Sequence, residues 1–263
     1  MNHPSPVPQM PIPVSLNPVS LNPVNSVHSR LAETSNWRAD LIELVERRVP
    51  FSRTRLHAGD LVQAAGGRFD CLKVVKLGAC KSVNLSADGR ERVVGLHFKG
   101  DWIGFDNIAK TSCTNDVYAI DTSEVWSVGY ESLLDATANS PTLVRALHLA
   151  MSCQLAQANE RQLALGGLGA DARVADFVRS LAESQAALDL RWDQINLRMS
   201  RAEIGSYLGL TLETVSRALS RLARCGLIGV EKNRLRHIGV PSILALVDYI
   251  QLPLHPREAR PLQ

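Results

Sequence analysis

The stretch from 199 to 226, MSRAEIGSYLGLTLETVSRALSRLARCG, contains two short amphipathic segments that are separated by a glycine. In the second segment Val215, Leu219 and Leu222 recur at helical spacing, which predicts that they form the buried side of a helix. Two helices joined by a three-to-four-residue turn with glycine are typical of a helix-turn-helix. The stretch therefore predicts this motif, and the rest of the chain is interpreted outward from it.

Capping residues set the limits of the two predicted helices. Ser200 and Glu203 form an S-x-x-E capping box at the start of the first helix, and Gly209 ends it. Thr211 is a suitable N-cap for the second helix, because its hydroxyl can accept a hydrogen bond from a free backbone N–H. The second helix is predicted to run to Arg224, with Gly226 as its stop signal.

A second side of the second helix carries Glu213, Ser216 and Arg217, again at helical spacing. Arginine can pair bidentately with guanine, glutamate can accept from cytosine, and serine can bind either. These three residues are predicted to read bases in double-stranded DNA, although Glu213 and Arg217 could also form only a surface ion pair. The predicted DNA-backbone contacts are Ser200, Arg201, Thr211, Arg221, Arg224, Lys232, Arg234 and Arg236.

Charge and local pattern after the second helix agree with DNA binding. Residues 198–237 contain eight lysines and arginines and three acids, although the net charge of the whole chain is only +3. A basic segment in a near-neutral chain favours a polyanionic partner, although a solvated basic surface has the same signature. LIGVEKNRLRHIGV (227–240) predicts two strands around a polar turn, which makes the motif a winged helix-turn-helix, and PSILALVDYI predicts a short closing helix.

Residues 51–130 have a different pattern of apolar and turn-forming residues. Short apolar runs such as CLKVVKL and RVVGLHF alternate with glycine or Asp-Gly signals about every ten residues, which predicts an antiparallel β-roll or barrel. Asp88 and Gly89 predict the bend of a hairpin. A helix is predicted before the roll, from about 36 to 49. The chain as a whole is predicted to be α+β.

A long helix is predicted from 141 to about 165, with Pro141 in its first turn and a break at Gly166, Gly167 and Gly169. Its apolar stripe could pack on its own domain or along the same stripe of a second copy, and the pattern alone favours neither. The residues of this candidate homodimer interface are Leu143, Leu147, Met151, Leu155 and Ala158.

The composition excludes several other classes of protein. Residues 1–29 contain no lysine, arginine, aspartate or glutamate but seven prolines, so a disordered tail is predicted rather than a secretory signal. No apolar run is long enough to span a membrane. Five scattered cysteines without a Cys-x-x-Cys motif fit a reducing cytoplasm, where the protein is predicted to reside.

These features in this order resemble the CRP/FNR regulators, over about 40 to 250. GLHFKGDWIGFDNI (95–108) and MSRAEIGSYLGLTLETVSRALSRL (199–222) resemble the FNR branch. The resemblance implies a cyclic-nucleotide-binding-like β-roll (jelly roll), a dimerisation helix and a winged helix-turn-helix. It also implies that Glu213, Ser216 and Arg217, as the family's E-x-x-S-R signature, read TTGAT half-sites of an inverted repeat.

The chain departs from the family at its two known sensor sites. FNR ligates an iron-sulfur cluster through cysteines ahead of the roll and one inside it, whereas here no cysteine precedes Cys71 and the internal position corresponds to Trp126. Cyclic-nucleotide members clamp the phosphate with an arginine, whereas GFDNIAKTSCTNDVYA offers only Lys110. Neither an iron-sulfur cluster nor cyclic AMP is therefore expected, no other cofactor is predicted, and the effector is unknown.

The sequence thus predicts a non-enzymatic, homodimeric transcription regulator, more readily an activator than a repressor, whose hairpin at Asp88, Gly89 and Arg90 contacts RNA polymerase. The alternatives are a haem- or nitric-oxide-sensing regulator of the same family, with His57, His97 or His148 as ligand, and a cupin-like enzyme. The predicted parts are a tail (1–35), a β-roll sensor domain (36–140), a dimerisation helix (141–168), a winged helix-turn-helix (169–252) and a second tail (253–263).

Overall fold

The computed structural model describes residues 37–86, 89–188, 190–230 and 237–251. Both predicted tails lie outside these ranges, as do Asp88, Lys232, Arg234 and Arg236. The described chain begins with helix α1 (Trp37–Glu46), continues into a β-rich region and ends in a helical region, which is the predicted order.

Eight strands form the predicted β-roll as two four-stranded antiparallel sheets. One sheet has the order β1-β8-β3-β6 and the other has the order β2-β7-β4-β5. The strands are β1 (Ser52–Leu56), β2 (Leu61–Gln63), β3 (Cys71–Leu77), β4 (Ala79–Leu85), β5 (Glu91–Phe98), β6 (Trp102–Ile103), β7 (Asp116–Ala119) and β8 (Ser123–Gly129). The two apolar runs that indicated strands in the sequence, CLKVVKL and RVVGLHF, lie in β3 and β5.

The predicted hairpin joins β4 and β5. Leu85 pairs with Glu91 at its base, the Ser86 N–H donates to the Arg90 carbonyl over 2.9 Å, and Gly89 has a φ of 76°. That left-handed conformation is the reason for glycine at this bend. Asp88 itself lies outside the described residues.

Two apolar clusters stabilise the roll. Val75, Cys80 and Val117 belong to the cluster between the two sheets. A second cluster lies outside the first sheet, where Leu41 and Val45 of α1 pack with Trp102 of β6. Helix α2 (Tyr130–Thr137) and the long helix α3 (Pro141–Gly167) complete this second cluster.

Helix α3 begins as predicted, with Ser140 as N-cap and Pro141 in its first turn. Its end was predicted about two residues too early, because Gly166 and Gly167 remain within the helix and Leu168 is the C-cap. Among the described residues, no helix is long and apolar enough to cross a membrane.

The third region contains the predicted winged helix-turn-helix. Val174, Ile204 and Leu222 are among the buried residues of its core. A three-stranded antiparallel sheet of order β10-β11-β9 lies beside the helices, and its strand β9 was not predicted. The elements are α4 (Ala170–Ala186), β9 (Gln194–Asn196), α5 (Arg201–Leu208), α6 (Leu212–Arg224), β10 (Gly229–Val230), β11 (His237–Gly239) and α7 (Ile243–Gln251).

The capping predictions in the motif are confirmed. The Glu203 N–H donates to Ser200 Oγ over 3.2 Å, and Glu203 Oε2 accepts from the Ser200 N–H over 2.8 Å. The Thr214 N–H donates to Thr211 Oγ1 at the start of α6. Gly209 has a φ of 65°, so the turn between the helices needs a residue that tolerates the left-handed region.

Gly205 sits where α5 meets the backbone of this turn. A Cβ at this position would lie 2.6 Å from the Leu210 carbonyl oxygen and 3.4 Å from its carbonyl carbon. The Leu210 N–H donates to the Gly205 carbonyl over 2.8 Å, so the two backbones are bonded at the point of closest approach. The absence of a side chain at Gly205 therefore allows the turn to close.

We expect Gly205→Ala to lower the free energy of unfolding by about 1–3 kcal/mol, because the new methyl group would overlap a backbone oxygen that cannot move alone. Gly166→Ala is the matched control, since a Cβ there meets nothing within 4 Å in the same helical conformation. That change should be neutral or stabilising. Urea denaturation of both variants would measure the difference, and equal stability would contradict the role given to Gly205.

Candidate nucleic-acid interface

Helix α6 presents two chemically different sides. Val215, Ala218 and Leu222 have 0% exposure and pack into the core of the winged helix-turn-helix. Glu213 and Arg217 are exposed, and Ser216 is half-buried between them and the core. The structure therefore brings the three predicted base-reading residues together on the solvent side, in the N-terminal half of the helix.

The exposed residues do not form the surface ion pair that the sequence left open. Among the described residues, the side chains of Glu213 and Arg217 have no ion-pair or hydrogen-bond partner. One carboxylate and one guanidinium, each with unused hydrogen-bonding groups, can therefore bind an external ligand together. Their chemistry matches a G·C base pair, since arginine binds guanine O6 and N7 and a carboxylate accepts from cytosine N4.

Arg221 has a contact within the chain that the sequence did not predict. Its Nε donates to Asp171 Oδ2 of α4 over 2.6 Å, and a second nitrogen also bonds the Asp171 carboxylate. The hydrogen bond that Arg221 donates to Asp171 raises the pKa of Arg221. This ion pair fixes α6 onto α4. Arg221 was predicted to contact a DNA phosphate because of its positive charge, and Asp171 already neutralises that charge.

The other predicted backbone contacts cluster at helix ends. Ser200 and Thr211 are the N-caps of α5 and α6, where backbone N–H groups favour a bound anion. Arg201 is half-buried in the first turn of α5, and Arg224 is exposed at the end of α6. Lys232, Arg234 and Arg236 belong to the segment between β10 and β11, outside the described residues.

The residues predicted to form the dimer interface lie on two different sides of α3, one buried and one exposed. Leu143 has 0% exposure in the core of its own domain and Leu147 is half-buried against the same cluster, so Leu143 cannot also line an exposed interface. Met151 and Leu155 are exposed by 38% and 64%, and Ala158 is exposed as well. The helix turns the first two residues inward because α1 and α2 cover its N-terminal half.

The solvent side of α3 nevertheless carries a regular pattern, which we call the α3 seam. Its members are spaced alternately four and three residues apart, the spacing at which a helix packs along a parallel partner. They are Val144, His148, Met151, Leu155, Ala158 and Gln162. None of them is an acid or a base apart from His148.

The predicted polymerase contact is an exposed hairpin. Gly89 and Arg90 lie at the described part of its tip, and both are exposed. The loop that would hold a cyclic phosphate in related proteins contains the exposed Lys110 and the fully buried Asn107. Asn107 Oδ1 accepts from the N–H and the hydroxyl of Thr114 over 2.9 and 3.0 Å, which fixes this loop from within.

The cysteines are dispersed. Cys71 lies on β3 and Cys80 on β4, and these two strands belong to different sheets. Lys73 Nζ donates to Cys71 Sγ over 3.2 Å. Burial raises the pKa of both Cys71 and Cys113, and it raises the pKa of Cys80 to about 12, so burial does not activate these thiols.

The three candidate haem ligands are equally separate. His57 follows β1, His97 lies within β5 and His148 lies on α3. His97 Nε2 is 2.7 Å from Ser82 Oγ, and burial lowers the pKa of His97. Within the described ranges, no three or more histidine, cysteine, aspartate or glutamate side chains are grouped so that they could hold a metal ion.

Comparison with known proteins agrees with both halves of the fold. Residues 53–140 match the model of the cyclic nucleotide-binding domain. Residues 172–249 match the model of the Crp-like helix-turn-helix domain. Together these matches cover the β-roll and the winged helix-turn-helix, and they leave α3 as the connection between them.

Three relatives show the similarity along the chain. The transcriptional regulatory protein btr of Bordetella pertussis is 30% identical over 207 residues, which cover 79% of this chain and 84% of that protein. The fumarate and nitrate reduction regulatory protein of Escherichia coli is 30% identical over 191 residues, 73% of this chain and 74% of that protein. The structure of FixK2 from Bradyrhizobium japonicum has a TM-score of 0.68 at 29% identity and covers 75% of this chain and 96% of that chain.

Proposed function

Because the chain belongs to the CRP/FNR family of DNA-binding transcription regulators, we propose that it is an activator that binds an FNR-like inverted repeat as a homodimer. The observation that carries this proposal is that α6 has two chemically different sides. One side is buried in the core, whereas Glu213 and Arg217 stand exposed and without an internal partner on the other side.

In the proposed complex α6 enters the major groove and α5 crosses the backbone. Arg217 binds guanine, Glu213 accepts from cytosine and Ser216 contacts a neighbouring base. The N-termini of α5 and α6, capped by Ser200 and Thr211, face phosphates together with Arg201 and Arg224. Lys232, Arg234 and Arg236 add sequence-independent phosphate contacts from the wing, and Arg221 keeps α6 in place through Asp171.

The homodimer forms along the α3 seam in this proposal. Met151 and Leu155 expose apolar surface that their own domain does not cover. A parallel partner related by a two-fold axis would set each seam residue near the same residue of the other copy. This arrangement also supplies two reading helices, which an inverted repeat requires.

We further propose that the protein works without an iron-sulfur cluster and without cyclic AMP, in the cytoplasm, as a partner of RNA polymerase rather than as an enzyme. A cluster needs about four thiolates within reach of one another. Cys153 lies on α3 and Cys225 follows α6, whereas the other three cysteines belong to the roll.

The side chain at the position of the internal FNR cysteine supports the same proposal. Trp126 is 6% exposed, and its ring lies against Phe51 with centroids 5.5 Å apart. Arg53 Cζ lies 4.3 Å and Lys76 Nζ 4.5 Å from the centroid of the same ring. The position is therefore filled by an aromatic packing residue with two cations over its ring.

Arg217→Ala should remove discrimination at the guanine of the half-site by about 1–3 kcal/mol, because the bidentate contact is lost. Arg236→Ala is the comparison, since loss of a phosphate contact should weaken binding to all sequences similarly and flatten the salt slope by about one unit. Titration of specific and scrambled duplexes over a range of salt concentrations would measure both effects. An unchanged ratio of specific to scrambled binding in Arg217→Ala would refute the proposed reading helix.

Ala158→Asp should weaken self-association, because the two-fold axis would set two carboxylates opposite each other across the α3 seam. Ala156→Asp is the matched control on the same helix, at a position that faces away from the seam. Sedimentation at micromolar concentration should show a ligand-free wild-type dimer and a dissociating Ala158→Asp variant. A monomeric wild type, or equal dimers in both variants, would count against the seam.

Anaerobic reconstitution with iron and sulfide should leave the protein without a stoichiometric cluster, since its cysteines do not converge. Metal and sulfide analysis, together with DNA binding before and after exposure to air, would measure this. An absorbance scan would also reveal a Soret band if haem were bound. Stoichiometric iron and sulfide with air-sensitive DNA binding would overturn the proposal.

A further inference from the structure

Strand β5 contains an irregularity at the edge of its sheet. Ser82 of β4 pairs with Gly95, and the next residue, Val83, pairs with Val93, so Val94 is an extra residue without a partner on β4. Such a β-bulge turns backbone groups away from the ladder. The Val93 N–H donates to Ser206 Oγ of α5 over 3.0 Å, and the Val94 carbonyl accepts from Arg161 of α3.

Arg161 connects three elements at this bulge. While one nitrogen bonds the Val94 carbonyl, the guanidinium lies over the ring of Tyr207 on α5, with Cζ 5.2 Å from the ring centroid. A cation above an aromatic ring is attracted to its π-electrons, and the attraction increases when both groups are partly removed from water. Arg161 and Tyr207 are both half-buried. The long helix is thereby attached to the roll and to the first helix of the reading motif.

A second contact lies at the N-terminus of α5. Lys81 of β4 forms an ion pair with Glu203, and the two side chains are only 20% and 30% exposed. Burial alone would raise the pKa of Glu203, but hydrogen bonds from Lys81 and Ser200 hold it below its usual value. The carboxylate is therefore charged at neutral pH. It serves the capping box of α5 and the contact with the roll at the same time.

Apolar packing and another ion pair extend the contact. Val93 is 8% exposed and belongs to the same buried cluster as Ile204 of α5. Leu96 and Ile120 of the roll pack against that cluster. Arg198, just before α5, pairs with Asp121 in the turn between β7 and β8. The first helix of the motif is therefore held by the roll, whereas α6 keeps its reading side exposed.

We propose that this contact sets the angle between the reading motif and α3, and that Arg161 and Lys81 are positioning residues for the spacing between half-sites. The inference rests on the proposed homodimer and inverted repeat. Two reading helices must enter the groove about one helical turn, roughly 34 Å, apart. Base contacts by α6 do not fix this separation. It is fixed by the way each motif is attached to the helix that pairs the two copies.

The test uses the full-length dimer and inverted repeats in which both half-sites are intact and their separation changes by one base pair at a time. Wild-type protein should prefer one spacing. Arg161→Ala and, as a second variant, Lys81→Met should flatten that preference by about five- to tenfold in relative Kd. Both variants should keep the wild-type ratio between the correct half-site and one with a changed guanine. Arg145→Ala, an exposed arginine on the same helix, is the control and should retain the wild-type preference.

Each outcome decides between the two proposals. If wild-type protein shows no preference for any inverted repeat over a scrambled duplex, the proposed function fails. If wild-type protein prefers one spacing and both variants keep that preference, the positioning role fails alone. The positioning role would also fail if the variants lost base discrimination together with spacing, or sedimented as monomers, because their defect would then lie in the reading motif or in association.

Discussion

A helix that reads DNA can be held from one side only, because its other side has to meet the bases. Helix α6 satisfies this constraint with Val215, Ala218 and Leu222 in the core and with Arg221 bound to Asp171 at its edge. The neighbouring elements of the winged helix-turn-helix hold α6 from its buried side. The turn closes tightly over Gly205, and α5 is itself fixed to strand β5, so the exposed side of α6 rests on a continuous set of contacts that leads back to the β-roll.

Features encoded within a few residues could be predicted from the sequence. The capping box of Ser200 and Glu203, the N-cap at Thr211 and the apolar spacing in α6 each act within a single helical turn, and each lies where it was predicted. The β-roll could be predicted for a similar reason, because its turn signals recur regularly. In contrast, β9 has only three residues and is stabilised by pairing with β11, about 40 positions away, so its own sequence carries little signal.

Contacts between distant positions could not be predicted. The periodicity of α3 placed Leu143 and Ala158 on one stripe, but only the location of α1 and α2 determines that Leu143 is buried in its own domain while Ala158 remains exposed. Arg221 carried the charge expected of a phosphate contact, and nothing near it in the sequence indicated Asp171, fifty residues earlier, as its partner. Likewise, Cys71 and Cys80 are close in sequence, yet their strands belong to different sheets.

Glu203 belongs both to the capping box of α5 and to the ion pair with Lys81 of the β-roll. The DNA-binding domain and the β-roll therefore cannot be exchanged independently of each other. Regulators with new targets are often sought by joining the DNA-binding half of one protein to the sensor half of another. A junction after α3 would here separate Glu203 and Ser206 from Lys81 and from the bulge in β5. Such a chimaera would leave Glu203 and Ser206 on α5 without their partners in the roll. A recipient roll therefore needs a lysine and a bulged edge strand at the corresponding places before it can accept this motif.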